Sequence, residues 1–127
     1  MNATRLEHVN VTVSNPEKTA AWMGEVFGWH IRWKGAAKGF GRTIHVGTDD
    51  DYVALFSPDN PAPNPYDRYR SAGGLNHIAV VVDNLVAAEK RVKAAGFTPV
   101  SHADYEPGRR FYFHDYDDIE FEVVQYD

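Results

Sequence analysis

Cysteine is absent from these 127 residues, so the chain can form no disulfide, offer no thiolate to a metal and present no cysteine nucleophile. Also missing is any stretch near the ~20 consecutive apolar residues that a membrane-spanning helix needs. The N-terminal Met1-Asn2-Ala3-Thr4-Arg5 leads into an alternating segment rather than an apolar signal sequence. Dense basic runs are lacking too: 13 Lys and Arg stand against 18 Asp and Glu, a formal net charge of −5, which argues against nucleic acid or an anionic membrane surface as partner. No Gly-rich phosphate loop or nucleophile elbow occurs. Asp49-Asp50-Asp51 and Asp117-Asp118 lack the spaced oxygen ligands and closing Glu of an EF-hand and read as turns. The expectation is a cytoplasmic protein whose partner is a small molecule.

What is present is a core-forming composition, 43% hydrophobic and 13% aromatic, and one strand pattern written twice. Leu6-Glu7-His8-Val9-Asn10-Val11-Thr12-Val13 returns in kind as Leu75-Asn76-His77-Ile78-Ala79-Val80-Val81-Val82, with a histidine at the same place in each copy. Leu6, Val9, Val11 and Val13 suggest the buried side of the first copy, with His8, Asn10 and Thr12 on the other. A helix start follows at Ser14-Asn15-Pro16-Glu17, an apolar face at Trp22, Met23, Val26 and Phe27, and a stop at Gly28. Strand-like runs near 29–34, 42–46 and 52–57 complete a βαβββ unit. Past a segment rich in proline (Pro58, Pro61, Pro63, Pro65), the same order recurs: a strand at 75–82, a helix at about 84–95 stopped by Gly96, and strands near 98–102, 109–114 and 119–125.

This pattern predicts an α+β fold of two tandem βαβββ modules, 1–57 and 74–127, joined by a Pro-rich linker at 58–73. Each mixed sheet would bury one face under its helix and leave a more polar face to line a cleft. Two such sheets side by side would form a cup-shaped half-barrel with the helices outside.

Alternation on the last strand turns Phe121 and Val123 toward the helix and Glu120, Glu122 and Val124 toward the cup. His8, His77 and Glu122 then supply two imidazoles and a carboxylate. That donor set suits one divalent ion of Fe, Mn, Zn, Ni or Co, with positions left open for substrate and water. His45 lies opposite Ile44 and Val46 and is expected to face the cup, while Trp33, Tyr52 and Phe56 could wall a planar ligand.

Paired βαβββ modules, a histidine on each first strand, and Asp115-Tyr116-Asp117-Asp118 followed by Glu122 resemble the vicinal oxygen chelate superfamily over essentially the whole chain. This group comprises glyoxalase I, extradiol dioxygenases, fosfomycin-resistance transferases and bleomycin-binding proteins. Tyr116 and Asp118 stand where the family pattern has Pro and Gly. The resemblance implies a metalloenzyme acting on a small oxygenated substrate, and a homodimer in which His8 of one copy joins His77 and Glu122 of the other. Ala54, aligned with Glu122, replaces the fourth ligand that a glyoxalase I-like lyase or isomerase would use, leaving Glu120 and His45 as the nearest substitutes. The two-His, one-Glu set is similar to an extradiol dioxygenase site. That likeness extends to His102, Phe111-Tyr112, Asp115 and Glu122, with one residue more after His102 than the pattern has. It implies an acid/base role for His102 and substrate orientation by Tyr112. A non-catalytic drug-binding module is the alternative.

Overall fold

The computed structural model describes residues 3–37 and 40–126. The chain divides into two compact units, Met1–Pro63 and Asn64–Asp127. In unit 1, β1 (His8–Thr12) and α1 (Pro16–Phe27) precede β2 (His30–Ala36), β3 (Arg42–Gly47) and β4 (Tyr52–Ser57). In unit 2, β5 (Ile78–Val81) and α2 (Leu85–Ala94) precede β6 (Val100–Tyr105), β7 (Gly108–His114) and β8 (Glu120–Tyr126). The βαβββ order is thus present twice. The sheet orders are β1-β4-β3-β2 and β5-β8-β7-β6. In each, the first strand runs parallel to the last and the other pairings are antiparallel. This is an α+β fold of two tandem modules with mixed sheets.

Local chemistry explains the helix boundaries. Asn15 caps α1 by accepting the Lys18 amide at 3.0 Å, and Gly28 closes it in the left-handed region at φ 74°. Asn84 caps α2 through the Ala87 amide at 3.0 Å. In unit 1, α1 packs on β2, β3 and β4, burying Trp22, Met23 and Val26 with Ile44, Val46, Val53 and Leu55. In unit 2, α2 packs on β8, and the core holds Phe111, Phe113, Phe121 and Val123, all fully buried. Phe113 stacks on Phe121 with ring centres 5.3 Å apart.

Two features depart from the sequence pattern. Leu6 is 81% exposed and Val9 is also exposed, not buried. Leu6 precedes β1, and β1 is the edge strand of its sheet, beside β4, so apolar alternation there does not guarantee a covered face. In addition, residues 64–73 fold with unit 2: Asp67 organises a turn by accepting the Tyr69 amide at 2.9 Å, and Arg68 reaches Asp118 at 2.6 Å. Among the described residues, no helix is long and apolar enough to cross a membrane.

Because Phe113 fills the packed interior of unit 2, Phe113→Ala should lower unfolding stability by about 3–5 kcal/mol. Chemical denaturation followed by circular dichroism measures this; a loss below about 1 kcal/mol would show that the ring is not structural.

Candidate functional site

In unit 1, strand register gathers aromatic side chains on the face away from α1. His8 pairs with Tyr52 across β1 and β4, His45 with Ala54 across β3 and β4, and Trp33 with His45 across β2 and β3. The rings form a row: His8 on Tyr52 at 4.8 Å, Tyr52 on His45 at 4.5 Å, and His45 against Trp33 at 5.2 Å. Arg32 lies over Tyr52, 4.5 Å from the ring centre. Burial, then the nearby His8 and Arg32, hold the His45 pKa below its usual value, which favours a neutral imidazole. Phe56 shares this face at the far end of β4, edge-on to Phe40 at 5.8 Å.

In unit 2, Glu122 pairs with Tyr112 and Glu120 with His114 across β7 and β8. Arg110, Tyr112, His114, Glu120 and Glu122 therefore share the face opposite the phenylalanine core. His77, immediately before β5, places Nε2 3.0 Å from Glu122 Oε1, while the other carboxylate oxygen accepts Arg110 Nη1–H at 2.8 Å. Both Glu122 and Arg110 are largely buried. Tyr112 meets His77 edge-on with ring centres 5.9 Å apart. Burial, reinforced by Glu122, raises the Tyr112 pKa, so its phenol remains a proton donor.

A common detail unites the two modules. In each, the residue before the histidine holds its Nδ1: Glu7 Oε1 lies 2.9 Å from His8 Nδ1, and Asn76 Oδ1 lies 2.7 Å from His77 Nδ1. A proton on Nδ1 shared with these oxygens leaves Nε2 as the available donor to a metal. At His77, that nitrogen lone pair faces a carboxylate oxygen at 3.0 Å, an approach that requires a proton or a cation between them. The donor chemistry fits a divalent ion. Among the described residues, no three His, Asp or Glu side chains are gathered closely enough to hold one; unit 2 contributes a pair.

The structure separates His102 from the other sequence-derived candidates. The β6–β7 register shifts between Val100 and Ala103, and Ser101 adopts φ 55°. This bulge absorbs the additional residue of the sequence spacing and turns His102 to the opposite face. There it stacks on Phe111 at 5.9 Å and meets Glu89 of α2 at 3.0 Å. Tyr112 stays beside His77 and Glu122, so the two side chains assigned a shared role do not share a face.

Register also places Ala54 where Glu122 stands in unit 2: Ala54 lies between Asn10 and His45, and Glu122 between Ala79 and Tyr112. The closing turn keeps its shape without Pro or Gly. Asp115 Oδ1 accepts the amides of Asp117 at 2.9 Å and Ile119 at 3.0 Å, and Asp118 takes the left-handed conformation at φ 60°. Sequence reasoning missed Arg110, although its parity with Tyr112 on β7 would have placed it on the same face. It also missed Tyr69, which donates its hydroxyl to Glu120; no local sequence signal indicates that contact.

The sequence profile described as Glyoxalase/Bleomycin resistance protein/Dioxygenase superfamily matches residues 5–123. No curated protein sequence gives a significant match. Among solved structures, a glyoxylase/bleomycin resistance protein/dioxygenase domain from Frankia sp. EAN1pec is 22% identical, with TM-score 0.83 over 99% of this chain and all of that one. The fosfomycin resistance protein FosX from Listeria monocytogenes is 18% identical, with TM-score 0.73 over 99% of this chain and 96% of its own. A mutant of that protein, complexed with Mn(II) and 1S,2S-dihydroxypropylphosphonic acid, is 19% identical, with TM-score 0.72 over 97% of this chain and 90% of its own. At these identities the likeness establishes the fold. With the profile spanning nearly the whole sequence, the chain belongs to the glyoxalase/bleomycin resistance protein/dioxygenase superfamily.

Proposed function

We propose that this protein is a divalent-metal-dependent enzyme acting on a small oxygenated substrate, with His8, His77 and Glu122 as metal ligands. His8 comes from the first module of the same chain or, in a homodimer, from that of a second copy. The observation that carries the reading is the opposed His77 Nε2 and Glu122 Oε1, with Nδ1 held by Asn76 and the same Nδ1 restraint repeated at His8. When bound, the ion would supply Lewis acidity toward the paired oxygens of the substrate.

The chain's own residues account for the rest. Arg110 orients the Glu122 carboxylate and offsets part of its charge. Tyr112 remains protonated beside His77 and is placed to donate a hydrogen bond to a bound substrate oxygen. Tyr52 and His45 stack on each other and Trp33 lies tilted at 49° against His45, an aromatic row that would wall one side of the substrate site, with Phe56 further along the same face. Ala54 withholds a fourth carboxylate, which favours a three-ligand, extradiol dioxygenase-like site over a glyoxalase I-like one. Because His102 meets Glu89 and Phe111 on the opposite face, the proposed reading assigns acid/base work to other groups.

A second reading rests on the Arg110–Glu122 ion pair. A guanidinium already bound to the candidate ligand lets this side chain be satisfied without metal, as in a non-catalytic small-molecule binding protein. Metal analysis separates the two. Protein purified without added metal and then loaded should bind one divalent ion per site, and Glu122→Ala should abolish that binding; unchanged metal content in the variant would remove the enzyme reading. Asn76→Ala, which frees His77 Nδ1, should weaken divalent binding by roughly 10- to 100-fold in a competitive chelator titration. An unchanged affinity would show that Asn76 does not orient the ligand.

A further inference from the structure

Unit 2 contains an open cavity of about 420 Å³, whose lining includes Arg68, Tyr69, Tyr112, His114, Asp118 and Glu120. Its size falls in the range of small-molecule sites. Glu120 is the chemical centre. Its side chain is only 8% exposed, and Oε1 accepts hydrogen bonds from the Tyr69 hydroxyl and from His114 Nε2, the latter at 3.2 Å. Oε2 has no hydrogen-bond partner among the described residues.

The charge balance identifies what the cavity would accept. Among the described residues, Arg68 is the one full cation lining it, and its charge is engaged by Asp118 at 2.6 Å. Tyr69 and His114 give Glu120 hydrogen bonds, and the Tyr69 phenol brings no formal countercharge. A buried carboxylate with one unfilled oxygen, bordered by the rings of Tyr69, Tyr112 and His114, combines an anionic acceptor with aromatic surface. That combination complements an organic ammonium group, which donates an N–H to the carboxylate while its charge lies against ring faces. It disfavours a carboxylate or phosphonate, which would meet Glu120 as a like charge.

We infer that this cavity is a subsite for a primary ammonium group on a small ligand, with Glu120 as the anionic acceptor and Tyr69 as the residue that holds it in place. The assignment goes beyond the proposed metal site and does not depend on it, because all the residues named belong to unit 2 and none is a proposed metal ligand.

The test uses three probes of similar shape without vicinal oxygens, so that metal chelation plays no part: tyramine, 4-ethylphenol and 4-hydroxyphenylacetate. Each is titrated into the full chain without metal, with affinity read from amide NMR shifts at Tyr69, Ser101 and Tyr112. Tyramine should bind at least about tenfold more tightly than either competitor. The preference should disappear in Glu120→Gln, which keeps shape and removes charge, and should fall in Tyr69→Phe with the fold intact by circular dichroism. Equal affinities for the three probes, no binding of tyramine, or an undiminished preference in Glu120→Gln would overturn the subsite. The metal content of Glu122→Ala judges the metal reading separately.

Discussion

Alternation along β8 governs both the stability of unit 2 and its chemistry. A strand turns successive side chains to opposite faces, so Phe121 and Val123 cannot be buried without sending Glu120 and Glu122 the other way. The phenylalanine core fixes that choice: a one-residue slip would drive two carboxylates into a packed aromatic interior. The positions of the two glutamates are therefore held by the hydrophobic effect acting on their neighbours. Cross-strand pairing then brings Tyr112 to Glu122 and His114 to Glu120. The chemical face is a consequence of the core.

The same register in unit 1 gives a different surface. Where unit 2 has Glu122, unit 1 has Ala54, and the same face carries a row of rings from His8, Tyr52, His45 and Trp33. One module thus offers carboxylates held by cationic and hydroxyl donors; the other offers a row of aromatic rings with Arg32 over Tyr52. What both retain is the histidine with its Nδ1 engaged by the preceding side chain. That detail, present in two otherwise divergent faces, is what the proposed use of Nε2 as a ligand would require.

Much of this was legible in the sequence, because the signals were local or periodic. The helix caps at Asn15 and Asn84, the stop at Gly28 and the alternation of β8 depend on residues a few positions apart, and the doubled His strand exposed the duplication. Features set by long-range pairing were not legible. Whether His102 faces Tyr112 depends on a bulge at Ser101, and the additional residue in the spacing was the only trace of it. The exposure of Leu6 depends on the strand order that leaves β1 at an edge. The contact of Tyr69 with Glu120 spans 51 residues and starts from a segment whose prolines read as linker.

On the proposed function, the 3.0 Å approach of His77 Nε2 to Glu122 Oε1 marks a metal-binding pair rather than a permanent ion pair. Nitrogen-15 NMR of the imidazole rings in the full chain at neutral pH, recorded before and after addition of Zn(II), addresses this directly. His77 Nε2 should shift as a metal-bound nitrogen does, while Nδ1 keeps its proton toward Asn76. A His77 that carries protons on both nitrogens and shows unchanged shifts in excess Zn(II) would contradict the claim.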